Sequence, residues 1–205
     1  YLRGLLKGEK VEETRIVDCV TRGINPYTNT DEFFDCAKNP DLRFIVSNTT
    51  EAGIEYKPNQ NPDDFNGLTF PGRLTLFMKK RFDEGLGGFI LLPCELIDKN
   101  GDNLKECILK YSVDWGYGGE FEKWIETENH FTNTLVDRIV TGYPRDNAKE
   151  MEQSYGYLDD MIDTAEIFHL WVIEGDKKLA EEIPFHKIGL NVLWTDDVTP
   201  YKKRK

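Results

Sequence analysis

The stretch Phe131-Thr-Asn-Thr-Leu-Val-Asp-Arg-Ile-Val-Thr-Gly-Tyr-Pro144 has a strand-like apolar character but carries charges at its centre. Large and β-branched residues dominate it and predict a buried strand. They are Leu135, Val136, Ile139 and Val140. Asp137 and Arg138 interrupt the run, and buried charges are costly unless they are paired and hydrogen-bonded. The stretch is therefore either a strand with a structural ion pair or part of a polar site at the mouth of a sheet.

Two apolar runs precede this stretch, at residues 42–46 and 89–92. Strands that are covered on both faces have this character, and the helical spacing of apolar residues in 73–84 and 104–115 predicts amphipathic helices. The order strand, helix, strand, helix, strand predicts an open α/β sheet with a mainly parallel centre. Other predicted elements are a hairpin of residues 1–6 and 14–20, short helices at 31–38 and 121–127, an apolar run at 165–173 and a strand at 190–194.

Polar residues follow the predicted central strands. Residues 47–53 follow the first strand, Cys94 and Glu95 follow the second, and residues 133–138 lie in or beside a third. Ligands of open α/β sheets bind outside the carboxyl ends of the strands. We therefore expect these three polar segments to meet at one edge of the sheet and to form a ligand site.

The composition limits the kinds of partner. The chain has 205 residues and a net charge of −11, which argues against binding to a nucleic-acid backbone. No apolar run approaches the length of a membrane span. The four cysteines lack Cys-x-x-Cys spacing and the three histidines are scattered, so we expect reduced thiols, no metal and a cytoplasmic location.

Three motifs resemble the long-chain mannitol dehydrogenase family. They are Phe44-Ile-Val-Ser-Asn-Thr-Thr-Glu-Ala-Gly-Ile54, Pro93-Cys-Glu-Leu-Ile-Asp98 with Asn100-Gly101, and Asn133-Thr-Leu-Val-Asp-Arg-Ile-Val-Thr-Gly-Tyr-Pro-Arg-Asp146. The similarity continues through Asp163-Thr-Ala-Glu166, Leu190-Asn-Val-Leu193 and Pro200-Tyr-Lys-Lys-Arg-Lys205. It thus covers nearly the whole chain.

The resemblance implies a Rossmann-type domain that binds a nicotinamide cofactor, followed by a mostly helical domain. Residue 1 falls inside a predicted strand and residues 202–205 fall where a helix is predicted to begin, so we expect a piece of a longer polypeptide. Residues 1–205 would form part of the cofactor domain of a two-domain enzyme, without its first glycine-loop unit and without the helical domain. By itself such a piece is expected to be inactive.

The resemblance also implies roles for individual residues. Lys205 falls on the family's catalytic lysine, and a lysine exchanges a proton best when burial moves its pKa toward neutrality. Asn133 matches an asparagine that donates to the alkoxide, although its side chain could instead cap a turn. The remaining candidates are cofactor-lining residues (Asn48, Thr49, Thr50, Glu51, Cys94 and Glu95) and substrate or site-supporting residues (Asp137 and Arg138). A helix cap at 48–51 and inert packing of Cys94 are the structural alternatives.

The expected substrate is an anionic sugar. Mannitol-specific members carry an acidic residue where this chain has Gly175, and losing that carboxylate favours a sugar acid because like charges repel in a closed site. The resemblance therefore implies NAD-dependent interconversion of tagaturonate and altronate. The alternatives are reduction of fructuronate, oxidation of a neutral polyol, or a non-catalytic α/β module. The oligomeric state stays open.

Overall fold

A computed structural model describes residues 1–176 and 178–202. The strands in these residues are β1 (Leu2–Leu6), β2 (Glu9–Glu13), β3 (Phe44–Ser47), β4 (Ile90–Pro93), β5 (His130–Phe131), β6 (Asn133–Asp137), β7 (Val140–Gly142), β8 (Thr164–Glu166), β9 (Leu170–Glu174) and β10 (Val192–Thr195). The helices are α1 (Thr30–Ala37), α2 (Phe70–Asp83), α3 (Asn100–Asp114), α4 (Gly119–Glu128), α5 (Ala148–Tyr155), α6 (Leu179–Glu182) and α7 (Thr199–Lys202).

The strands form three hydrogen-bonded sheets. One is parallel throughout, in the order β3-β4-β5. A second has the order β10-β9-β6, in which β9 is parallel to β10 and antiparallel to β6. Only Thr132 separates β5 from β6, so the chain passes directly from the first sheet into the second. The third sheet, β2-β1-β8-β7, contains the hairpin. This arrangement confirms the predicted α/β, Rossmann-like class with mainly parallel sheets.

Strand β4 is buried on both faces, as its wholly apolar sequence predicts. Phe89 and Leu91 pack in a core that includes side chains of α2, α3 and α4. Ile90 and Leu92 point the other way and pack with Ile173 of β9. Because alternate side chains of a strand face opposite sides, only a continuous apolar run can fill both cores.

Helix α2 carries a buried cation among its apolar residues. Arg81 is 1% exposed and lies on the face that the helical spacing assigned to the core. Its guanidinium donates to the carbonyl oxygens of Ala37, Asn39 and Gly87 and lies over the ring of Phe89, 4.6 Å from its centroid. Arg81 therefore ties the end of α1 to the segment before β4 through hydrogen bonds to backbone carbonyls.

The amino-terminal hairpin is present, but its second strand is not residues 14–20. Leu6 pairs with Glu9 across a two-residue turn, Lys7-Gly8, in which both residues have positive φ. This geometry matches the twist of a hairpin and fixes the register, so β2 ends at Glu13. The apolar residues of 14–20 lie outside the sheet and are exposed, among them Ile16 and Val17.

The prediction of one buried strand through residues 131–144 is wrong. The stretch contains β5, β6 and β7, which belong to three different sheets. The strand β6 ends at Asp137, and Ile139 and Val140 are 63% and 54% exposed. Glu166 causes the break, because its carboxylate accepts from the N–H of Ile139 and its carbonyl accepts from Arg138. The apolar run at 165–173 likewise divides between β8 and β9.

Gly101 provides a test of the packing between α3 and the sheet. A Cβ at this position would collide with the backbone carbonyl of Thr132. Gly101→Ala is therefore expected to lower the free energy of unfolding by about 1–3 kcal/mol, because rigid backbone must move. Urea denaturation would measure this. Gly119→Ala is the matched control, since a Cβ there has nothing within 4 Å, and we expect a change within about 1 kcal/mol. Equal stability of the two variants would contradict this packing.

Candidate active site

The polar segments after β3 and β4 are held together by one buried carboxylate. Glu95 is 2% exposed. Its Oε2 accepts from Ser47 Oγ at 3.0 Å, and its Oε1 accepts from the backbone N–H and the hydroxyl of Thr49 at 3.0 and 2.9 Å. Three hydrogen bonds compensate for removing the carboxylate from water. Glu95 therefore fixes the backbone from which the exposed residues Asn48, Thr50 and Glu51 project.

A buried amide joins this region to β6. Asn100 Nδ2 donates to the carbonyl oxygens of Pro93 and Glu95 at 2.9 and 3.1 Å. Its Oδ1 accepts from the backbone N–H groups of Thr134 and Gly101 at 2.8 and 3.0 Å. The carboxyl end of β4, the start of α3 and β6 are thus linked through one side chain. In the sequence, Asn100 stands out only as part of a motif, although an Asn-Gly pair after a strand is a signal that could have indicated this role.

Asn133 lies at the start of β6 and is 5% exposed. Its Oδ1 accepts from the N–H of Asp102 in the first turn of α3, at 3.1 Å. Its Nδ2 donates to Glu174 Oε1 at 2.9 Å, and Glu174 Oε2 accepts from the N–H of Val198 at 2.8 Å. Asn133 therefore caps the amino-terminal end of α3. A capping role was the structural alternative to donation to the alkoxide. Because an amide nitrogen carries two hydrogens, this contact with Glu174 leaves one for another acceptor.

Three hydrogen bonds and the burial of Val198 fix residues 197–202. The side chain of Val198 is 2% exposed, and its N–H is held by Glu174. The Asp197 carboxylate accepts from the N–H of Thr199 at 2.8 Å. Lys202 Nζ donates to Asp98 Oδ1 at 2.7 Å, which holds the pKa of Asp98 below its usual value. The predicted catalytic Lys205 follows three positions later and lies outside the described residues.

A cavity of about 230 Å³ lies at this edge of the sheets. Its walls are residues 94–98 after β4, three residues of β6 (Thr134, Leu135 and Val136) and Lys202. A larger groove of about 520 Å³ lies between α1 and α2, but its walls are charged helix residues such as Asp31 and Lys80. The smaller cavity is the candidate site, because two of the three predicted polar segments form it.

Cys94 lines this cavity but has the character of an unreactive thiol. Burial raises its pKa to about 11, and the nearby charge of Glu95 adds to the effect. A thiol with this pKa remains protonated at neutral pH, and the protonated form is not nucleophilic. This agrees with the packing alternative and leaves Cys94 as a wall of the cavity. All four cysteines are free thiols.

The other two predicted residues lie at the far end of β6. Asp137 pairs with Leu170 in the antiparallel ladder. Arg138 Nε donates to the carbonyl oxygen of Glu166 at 3.0 Å and so supports the junction between β6 and β7. Neither residue lines the cavity among the described residues. A supporting role for Arg138 has a structural basis, and contact with substrate stays a prediction.

Residues 1–176 and 178–202 contain neither a candidate metal site nor a candidate membrane-spanning helix. No three His, Cys, Asp or Glu side chains there are grouped so that they could hold a metal ion. None of the helices in these residues combines the length and the apolar character needed to cross a bilayer.

Comparison with known proteins places most of the chain in one family model. The model described as mannitol dehydrogenase Rossmann domain matches residues 4–187. Among curated relatives, altronate oxidoreductases of Enterobacter sp. (strain 638) and Shigella flexneri are 47% and 48% identical over 209 aligned residues. The alignments cover 100% of this chain but 43% of each relative, so the chain spans less than half the length of these proteins.

Solved structures show the same fold. The mannitol 2-dehydrogenase of Pseudomonas fluorescens, in a ternary complex with NAD and D-mannitol, matches with a TM-score of 0.68 and 21% identity. A D-sorbitol dehydrogenase in substrate-free form matches with a TM-score of 0.66 and 23% identity. These alignments cover 85% and 86% of this chain and 37% and 38% of those chains.

Proposed function

This chain belongs to the mannitol dehydrogenase family, and we propose that it is part of an NAD-dependent oxidoreductase that interconverts tagaturonate and altronate. The observation that carries the proposal is the meeting of the segment after β4, strand β6 and Lys202 around one cavity, to which Glu95 ties the segment after β3. That is where ligands of open α/β sheets bind. The identity to altronate oxidoreductases along the whole chain supports the choice of substrate.

The residues beside the cavity suit the nicotinamide end of a dinucleotide. Asn48, Thr50 and Glu51 offer polar groups on an exposed loop whose backbone is fixed by Glu95. Short-range hydrogen bonds to ribose hydroxyls and to a carboxamide need donors and acceptors of this kind. Bound NADH would supply the hydride for reduction of the ketone. We further propose that residues 1–205 are part of the cofactor-binding domain of a larger cytoplasmic protein.

Proton transfer is assigned to Lys205, with Asn133 assisting. Reduction of a ketone creates an alkoxide that must receive a proton, and a lysine can act as this general acid. The second Nδ2 hydrogen of Asn133 would donate to the developing oxyanion. The contacts of Glu174 and Val198 support this assignment, because they connect Asn133 to the segment that precedes Lys205.

A substrate panel tests the proposed reaction. The complete protein would be offered tagaturonate, fructuronate and fructose in turn, and the oxidation of NADH would be followed by absorbance. We expect the highest kcat/KM with tagaturonate. Gly175 supports this order, since a negatively charged side chain at that position would repel a sugar acid. A higher kcat/KM with fructose would overturn the assignment to sugar acids, and a higher value with fructuronate would change the substrate within that class.

A further inference from the structure

We propose that Lys202 binds the carboxylate of the sugar acid and thereby selects anionic over neutral substrates. This inference rests on the proposed function, because it names the residue that recognises the acid group. Lys202 lies at the end of α7, as the structure describes it, and lines the cavity described above. Among the described residues of that lining, it is the only one with a basic side chain.

The ammonium group of Lys202 is oriented by a carboxylate that also lines the cavity. Asp98 Oδ1 accepts from Lys202 Nζ at 2.7 Å. An ammonium group has three N–H donors, so this bond leaves others for a ligand. Asp98 therefore holds the ammonium group at the cavity wall, and Lys202 keeps N–H donors for a ligand.

In this ion pair the lysine is the enclosed partner and the carboxylate is the exposed one. The side chain of Lys202 is 22% exposed, whereas that of Asp98 is 81% exposed. In the pair of Lys110 with Glu106 on α3, both side chains are well exposed, at 48% and 63%. Ion pairs with exposed partners stabilise proteins little, so little stability is lost when a ligand displaces Asp98 from Lys202.

Among the residues that the structure describes, two acidic ones line the cavity, Glu95 and Asp98, and only Asp98 can give way to an anionic ligand. Glu95 is occupied by Ser47 and Thr49 and lies too deep to leave its position. Asp98 is in contact with solvent and can be rehydrated when a substrate carboxylate contacts Lys202. An anionic substrate can therefore share or displace the bond to Asp98, while a neutral polyol gains no charge-assisted hydrogen bond there.

The position of Lys202 along the chain suits a substrate that bridges two lysines. Lys202 precedes the proposed proton donor, Lys205, by three positions in the sequence. In tagaturonate, the carboxylate and the keto carbon lie toward opposite ends of the carbon chain. A lysine that binds the carboxylate would therefore direct the keto group toward the proton donor.

The test uses Lys202→Met in the complete protein, because methionine keeps most of the side-chain volume and removes the charge. We expect the KM for tagaturonate to rise about 10- to 100-fold, the usual range for one hydrogen bond to a charged group. The KM for NADH and the thermal unfolding midpoint should stay near the wild-type values. Lys202→Arg should restore most of the affinity. Lys110→Met is the matched control and should leave all these values unchanged.

The outcomes separate this inference from the proposed function. A wild-type protein that does not reduce tagaturonate contradicts the proposed function itself. If the wild type is active, an unchanged KM in Lys202→Met overturns the role of Lys202. A parallel loss of NADH affinity and of thermal stability, without rescue by arginine, would make Lys202 a structural residue and would also overturn the inference.

Discussion

Asn133→Ala is expected to reduce kcat for ketone reduction in the complete protein by about 10²- to 10³-fold, the usual cost of losing an oxyanion donor. The substitution also removes the partner of Glu174 and the cap of the Asp102 N–H. Glu174 would lose one of the contacts that position its carboxylate, and its hydrogen bond to the N–H of Val198, just before α7, would weaken. Chemistry and positioning are thus both affected, whereas the KM for NADH should change little.

Steady-state kinetics together with urea denaturation would measure the two effects separately. Glu174→Gln is the companion variant, because it keeps an acceptor for Asn133 but replaces the oxygen that holds Val198 with an amide nitrogen. We expect a smaller loss of kcat in this variant than in Asn133→Ala. Wild-type kcat in a folded Asn133→Ala protein would contradict the assigned role, as would an equal loss of kcat in both variants.

Glu95→Ala is expected to have the largest effect on cofactor binding. It leaves Ser47 Oγ and both donors of Thr49 without their acceptor, so the free energy of unfolding should fall by about 2–4 kcal/mol. The loop of residues 48–51 would lose its anchor, and the Kd for NADH should rise at least tenfold.

Glu95→Gln is the matched control for this change. The amide oxygen can still accept from Thr49, and its nitrogen can donate to the Ser47 hydroxyl, so we expect a much smaller loss of stability. Urea denaturation and titration with NADH would measure both variants. A tight, wild-type Kd for NADH in Glu95→Ala would show that the loop does not depend on this carboxylate.

The sequence predicted the structure correctly where the pattern of apolar residues fits only one kind of element. The wholly apolar residues 89–92 can only be a strand covered on both faces, and Ile90 and Leu91 are indeed buried in two different cores. The helical spacing of apolar residues predicted α2, and the structure shows the carbonyl acceptors that make the burial of Arg81 in this helix possible. The order of the strands also predicted that the segments after β3 and β4 meet, whereas Asp137 and Arg138 of the third segment lie away from the cavity.

The sequence was misleading where tertiary contacts determine the ends of strands. Ile139 and Val140 have high strand propensity, but Glu166, distant in sequence, ends β6 before them. Local composition also could not show that Lys7-Gly8 would shift the hairpin onto charged residues. The apolar residues Leu135 and Val136 predicted a strand at β6 but not which sheet that strand joins.

The site was only partly predictable for a related reason. Glu95 and Asn133 were identified from the resemblance, but their hydrogen-bond partners depend on side chains from distant elements. Asn100, Glu174 and Lys202 were not singled out, because a polar residue after a strand or in a helix is ordinary in sequence. The roles of Asn100 and Glu174 follow from hydrogen bonds to distant parts of the chain, and that of Lys202 follows from the cavity that it lines.

The most direct test is a crystal structure of the complete protein with NAD and altronate. We predict that the nicotinamide lies beside residues 48–51 and Cys94, with the altronate carboxylate on Lys202 and its reacting hydroxyl within hydrogen-bonding distance of Asn133 and Lys205. Altronate or the nicotinamide bound away from this edge of the sheets, with the cavity between β4, β6 and α7 empty, would contradict the account.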